Sequence, residues 1–170
     1  MTDARHSALM ETVSELLDWA RVSPFAARFT QSDTNGTSSS DVAVNPRTGA
    51  WRTRDIQTGH SLRYSPETHL IYVNDEEDGQ PASDGQRPQH QSVRMAFPLS
   101  LDIWGRRSDS FRPVDVERSG GEAILLLRHR TEPAIYGSAR LDTSRGLLTA
   151  VQSPLYSWAF QDVALPKSPV

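Results

Sequence analysis

Histidine, carboxylate and arginine are the side chains through which this sequence could do chemistry, because it contains no cysteine. Disulfides, thiolate nucleophiles and thiolate metal sites are thereby excluded. The five histidines, His6, His60, His69, His90 and His129, show none of the close helical spacings that zinc sites use. His60 and His69 stand at opposite ends of a predicted hairpin, where they could meet across strands as an acid–base pair. Two ordinary half-exposed strand histidines are the simpler reading. Carboxylates cluster only at Asp75-Glu76-Glu77-Asp78, oxygen donors of the kind Ca²⁺ prefers, but without the spaced loop and glycine of a dedicated site. A solvated acidic turn fits them better. Asp102, beside Trp104, and Asp142 read as turn or cap residues. No residue is assigned a catalytic or metal-binding role, and no cofactor is expected.

Arginine and aromatic residues suggest binding instead. Arg52 and Arg54 alternate with Trp51 and Thr53 and so share one face of a strand, with Arg63 on the next. Such a set could meet an anionic head group, or it could be a solvated basic face. Tyr156, Trp158 and Phe160 alternate strictly, giving the last strand an aromatic face. Core packing explains such a stripe by default; a ligand-lined cavity is the alternative. The candidate lining set is Trp51, Leu62, Tyr64, Tyr72, Trp158 and Phe160, with Arg52 at a head group and Leu16 and Leu17 on a covering helix.

These side chains need elements to hold them. Leu9, Val13, Leu16, Leu17 and Ala20 form one apolar stripe, which predicts an amphipathic helix over 7–21, ended by Ser23-Pro24. Strands are expected at Ala27–Ser32, Asp41–Val44, Ala50–Gln57, Ser61–Tyr64 and His69–Asn74, with the polar stretch Asp33–Ser40 as a loop. Asp75–Ser92 lacks any large apolar residue and reads as a mobile loop. A tolerated surface insertion accounts for it; a lid or a loop that binds a protein partner is the functional alternative. Pro98 to Trp104 predicts a short helix closed by Gly105. A second run of strands is expected at Arg112–Arg118, Glu122–Arg130, Ala134–Asp142, Leu147–Gln152 and Leu155–Val163. The fold class is therefore α+β. An N-terminal helix covers a curved antiparallel sheet of about ten strands, too wide to stay flat and left unclosed as a half-barrel. The chain forms one domain, 1–170, and the tail Pro166–Val170 should fray.

Bulk composition narrows the partners. The 170 residues are 36% hydrophobic and 23% charged, with a formal net charge of −3. No stretch concentrates Lys and Arg enough to track phosphates, so nucleic acid is not an expected partner. The longest wholly apolar run is Ala123 to Leu127, far short of a membrane span. Residues 1–20 carry six ionisable side chains and no continuous apolar core, so a cytoplasmic location is the expectation.

Four segments together resemble a known family. Phe25-Ala26-Ala27-Arg28-Phe29-Thr30-Gln31 follows the first helix. Val42-Ala43-Val44-Asn45-Pro46-Arg47-Thr48-Gly49-Ala50-Trp51-Arg52 and Leu62-Arg63-Tyr64-Ser65-Pro66-Glu67-Thr68-His69-Leu70-Ile71-Tyr72-Val73 come next. Near the C-terminus stands Ala139-Arg140-Leu141-Asp142-Thr143-Ser144-Arg145-Gly146-Leu147-Leu148. This order resembles the bacterial outer-membrane lipoprotein carriers (the lipoprotein localisation factors). Their patterns are an "F-x-A-x-F-x-Q" strand, a "v-x-v-x-x-P-x-x-x-R" hairpin and an "l-x-l-d-x-x-x-G-x-l" hairpin. The resemblance implies an unclosed barrel with a helical lid and a cavity that shelters acyl chains, with Arg52 in the place of a gating arginine. That family works in the periplasm or cell envelope. The functional expectation is a non-enzymatic protein that binds a hydrophobic, lipid-like ligand. A pocket-templating cyclase or isomerase and a protein-interaction module on the same fold are the alternatives.

Overall fold

The computed structural model describes the backbone of residues 2–17, 22–82, 90–167 and 170, with the side chains of 2–6 and 16–17 left aside. Its regular elements grow from one repeated local device. Asn45 and Asp55 each open a turn that a glycine closes, Gly49 and Gly59, both at positive φ. The Asp55 carboxylate accepts from the backbone N–H groups of Gln57 (2.9 Å) and Thr58 (2.7 Å), and from the Thr58 hydroxyl. Asp142 does the same for Ser144 and Arg145, ahead of Gly146. At Ser65-Pro66-Glu67-Thr68-His69 the closing position is His69, with φ 57°. An Asx-type acceptor at the start and a left-handed residue at the end reverse the chain whatever lies beyond.

Between these turns run α1 (Thr2–Leu17), β1 (Phe25–Asp33), β2 (Gly36–Asn45), β3 (Ala50–Asp55), β4 (Ser61–Ser65), β5 (Leu70–Val73) and β6 (Gln80–Pro81). Then come α2 (Gln91–Ala96), a 3-10 turn at Pro98–Ser100, β7 (Phe111–Ser119), β8 (Glu122–His129), β9 (Tyr136–Asp142), β10 (Leu147–Gln152) and β11 (Tyr156–Ala164). All eleven strands join one antiparallel sheet in the order β6-β5-β4-β3-β2-β1-β11-β10-β9-β8-β7. Each half is a meander, and β1 pairs with β11 to join the two. Because β6 and β7 are both edges, the sheet is an unclosed half-barrel, and the α+β class holds.

Three sequence expectations are corrected. Asp33–Ser40 is not a loop: β1 and β2 meet in a tight hairpin whose last pair is Asp33↔Gly36. Its polar Ser and Thr residues tolerate a strand because Ser32 and Thr37 hydrogen-bond across it at 2.8 Å. The helix expected at 98–104 is only the 3-10 turn. The α-helix lies earlier, at Gln91–Ala96, and starts in the last two residues of the stretch read as polar loop. Gln80–Pro81, in the same stretch, pairs with β5, and residues 83–89 fall outside the described residues.

One face of the sheet carries the core. Alternation places Phe25, Ala27 and Phe29 of β1, Val42 and Val44 of β2, and Ala123, Leu125 and Leu127 of β8 on it, all buried. The cover over the centre is α2, which contributes Val93 and Met95, both 0% exposed, followed by Leu101 and Ile103. Each such side chain adds about 1.5–3 kcal/mol by leaving water. The N-terminal helix packs chiefly along the edge strand β7. There Thr12 is fully buried, its hydroxyl donating to the Ala8 carbonyl at 2.9 Å, and Leu9 packs against the core. Arg118 of β7 holds the helix through Glu11 (3.4 Å) and Glu15.

Candidate functional site

The register of the strands sorts the sequence-predicted liners. Trp51 pairs with Val44 and Tyr64, and Thr53 with Leu62, so Trp51, Leu62 and Tyr64 face the core side. Trp51 is buried, and the Tyr64 ring stacks on it at 6.1 Å. Trp158 and Phe160 also face inward, but elsewhere. Phe160 meets Phe25 and Phe29 edge-on at 5.4 and 5.9 Å. Trp158 stacks on Tyr156 at 4.4 Å. Following the pairs across β2, Trp51 aligns with Val44 and Trp158 with Ser38, six residues apart along the strand. At about 3.3 Å per residue that is roughly 20 Å. Helix α2, packed against β2, β3, β10 and β11, occupies the sheet face in this region.

Arg52 and Tyr72 do not join either group. They pair with Ala43 and Arg63 on the opposite, outer face, where the Arg63 guanidinium lies 4.1 Å from the centre of the Tyr72 ring. The alternation rule had already put Arg52 opposite Trp51; only cross-strand register shows that Tyr72 follows it. Leu16 and Leu17 lie outside the described side chains. His60 and His69 are separated by the whole length of β4, so they form no acid–base pair. Instead the His69 Nδ1 lies 3.4 Å from the Tyr64 hydroxyl.

Open space lies at one end of the half-barrel. A cleft of about 270 Å³ is bounded by Val22, Pro24 and Phe25 at the start of β1, Leu147 of β10, and Val163 and Leu165 at the end of β11. Ser144 and Arg145 of the β9–β10 turn form its polar rim. Gly146, at φ 63°, lets that turn come close to Val22: a Cβ there would stand 3.6 Å from the Val22 side chain. Sequence reasoning did not single out these liners, because they come from three strand ends and a turn that meet only in the folded sheet. Arg145, whose Nε lies 3.7 Å from Asp142, keeps a half-exposed guanidinium at the rim.

The shifted groups Asp142, Asp55 and Tyr156 are not among the residues that line this cleft. At Asp142, burial works to raise the pKa, but hydrogen bonds from Ser144 and Arg145 prevail and hold it below the usual carboxylate range. Asp55 is lowered by its bonds to Thr58. Tyr156 is raised by burial, with Asp102 adding to the effect. The acidic run Asp75 to Asp78 is exposed, and among the described residues no three His, Asp or Glu side chains converge as metal ligands.

These features define an α+β half-barrel with an internal helical plug and an apolar cleft at one end. No family model matches the chain, and no curated protein matches it in sequence. A solved structure shares its fold. The crystal structure of MucB superimposes with a TM-score of 0.52 at 15% identity, covering 96% of this chain and 61% of that one. The chain thus spans under two thirds of MucB. The MucA/MucB complex of Pseudomonas aeruginosa gives a TM-score of 0.48 at 16% identity, covering 94% and 58%. A putative outer membrane lipoprotein-sorting protein domain from Vibrio parahaemolyticus gives 0.28 at 8% identity, covering 100% and 95%. At 15% identity the likeness to MucB is one of fold.

Proposed function

We propose that this chain is a non-enzymatic binding module that takes the apolar end of a lipid-like ligand into the cleft at the end of its half-barrel. The observation that carries this reading is the cleft itself: about 270 Å³ walled by Val22, Pro24, Phe25, Leu147, Val163 and Leu165. That volume falls just under the range of about 300–1,000 Å³ usual for small-molecule sites, which suits one short chain or chain end. Arg145 at the rim would face a carboxylate or phosphate head group. The centre of the inner face is filled by Val93, Met95, Leu101 and Ile103, so the end cleft rather than the middle of the barrel is the site we assign. The resemblance of the sequence to lipoprotein carriers supports the same class of ligand.

Leu165 is 75% exposed at the rim, so Leu165→Glu should leave the melting temperature unchanged while placing a charge where the chain must enter. Displacement of a fluorescent fatty acid, with native mass spectrometry of the complex, measures uptake. Wild type should bind and Leu165→Glu should bind at least about tenfold more weakly, as expected when a carboxylate meets an apolar ligand. Absence of uptake by wild type, or equal uptake by the variant, would overturn the assignment.

A further inference from the structure

The outer face of β1 to β5 carries a charge pattern that the fold does not require. Cross-strand pairs run Arg28↔Asp41↔Arg54↔Ser61 in one row and Ala43↔Arg52↔Arg63↔Tyr72 in the next. Four arginines therefore share this patch with one aspartate, on a chain whose net charge is −3. Arg28 engages that aspartate at 3.4 Å. Among the described residues, Arg52 and Arg54 make no ion pair. Arg52 and Arg63 stand directly opposite each other, an arrangement of like charges that costs stability in a sheet. Tyr72 holds Arg63 by its ring face, and its hydroxyl lies 3.2 Å from that of Thr68. Exposed, and in Arg52 and Arg54 without an ion pair among the described residues, these guanidinium groups suit an external anion.

From this patch we infer that the outer face of β3 and β4 is a docking surface for an extended acidic segment of a partner protein. Arg52 and Arg54 are two residues apart on one strand, about 6.7 Å, the spacing at which an extended peptide presents alternate side chains. The patch is narrow and bordered by acids. Asn74 bonds to Ser61 through both its backbone and its side chain, so the exposed run Asp75-Glu76-Glu77-Asp78 starts beside the Arg54 row. A broad polyanion such as nucleic acid or an anionic bilayer would meet that run as well as the arginines. A single acidic strand laid along β3 lies two strand spacings, about 10 Å, from the start of that run, so a screening length of about 10 Å weakens the repulsion it meets. This docking surface faces away from the core and goes beyond the cleft reading.

The test is fluorescence anisotropy of a labelled peptide of alternating Glu and Ser, titrated with intact protein at low salt. Single-stranded DNA and phosphatidylglycerol vesicles serve as parallel probes. Arg54→Ser and Arg63→Ser remove exposed side chains, and melting curves confirm that both variants fold. The peptide should bind wild type, weaken about tenfold in each variant and release as salt rises. No peptide binding, or binding unchanged in the variants, overturns the inference. So does arginine-dependent capture of DNA or vesicles in preference to the peptide. Fatty-acid uptake, read in the same preparations, bears on the cleft alone, so the two readings fail separately.

Discussion

Asp109 is a central acceptor in the segment between the helical plug and β7. Its carboxylate accepts from the N–H groups of Trp104 (3.0 Å) and Arg106 (3.1 Å) and from the Arg106 guanidinium (2.9 Å). Arg106 in turn donates to the carbonyls of Leu99, at 2.7 Å, and Leu101. Burial acts to raise the pKa of Asp109, but these bonds outweigh it and hold it below the ordinary carboxylate range. A depressed carboxyl contributes stability above its unfolded pKa of about 3.9 and loses it as pH falls through the folded value. Asp109→Asn should therefore cost about 1–3 kcal/mol near neutral pH, with the gap to wild type narrowing in acid. Urea denaturation of both proteins, repeated at falling pH, measures this. A gap that stays constant would mean that shape rather than charge matters at this position. The turn role of Asp142 was legible in the sequence because its partners, Ser144 and Arg145, are two and three residues away. Asp109 escaped notice, since its bonds run back to Trp104 and Arg106 rather than forward as in an Asx turn.

Helix α2 illustrates the same limit among elements. The last strand, read at Leu155–Val163, could be read directly, because the alternation of Tyr156, Trp158 and Phe160 and the bounding turn are properties of neighbours in sequence. Six residues, Gln91 to Ala96, are too few to display a helical period, and a polar stretch precedes them. What makes them a helix is the apolar sheet face that Val93 and Met95 cover, together with a cap from His90. The His90 Nδ1 lies 2.7 Å from the Ser92 hydroxyl and accepts from its backbone N–H. Its ring also packs edge-on against Phe29 of β1. Burial holds the His90 pKa below 6.5; Asp55 works against that and His60 with it. An imidazole with a lowered folded pKa costs nothing while neutral in both states. As pH falls below about 6.5 the unfolded chain takes up the proton first, and stability drops. Protonation also removes the acceptor that caps α2. His90→Asn keeps a capping oxygen without a titrating group. The fall in melting temperature between about pH 7 and 5 should thus shrink in the variant. An undiminished fall would assign the pH response to other groups.

The whole sheet depends on a pairing between the first strand and the last. Each meander is built from local hairpins, but β1 and β11 lie more than a hundred residues apart, and their contact alone makes one eleven-stranded sheet of two smaller ones. Phe160 sits at this seam, buried from β11 against Phe25 and Phe29 of β1. The sequence showed that its strand was aromatic on one face, but periodicity carries no information about which strand lies alongside. The partner is fixed by chain topology, since edge groups in both halves need pairing. Phe160→Ala would remove an aromatic contact and open a void at a position both halves share, at a cost of about 3–5 kcal/mol. Because the seam is common to both, the loss should appear throughout the molecule rather than near residue 160 alone. Hydrogen exchange checks it: slowly exchanging amides of β3 on one side and β9 on the other should lose protection by similar free energies. If β3 kept its wild-type protection while β9 lost its own, the two meanders would be separate folding units. The half-barrel would then be held at its centre by contacts weaker than its geometry implies.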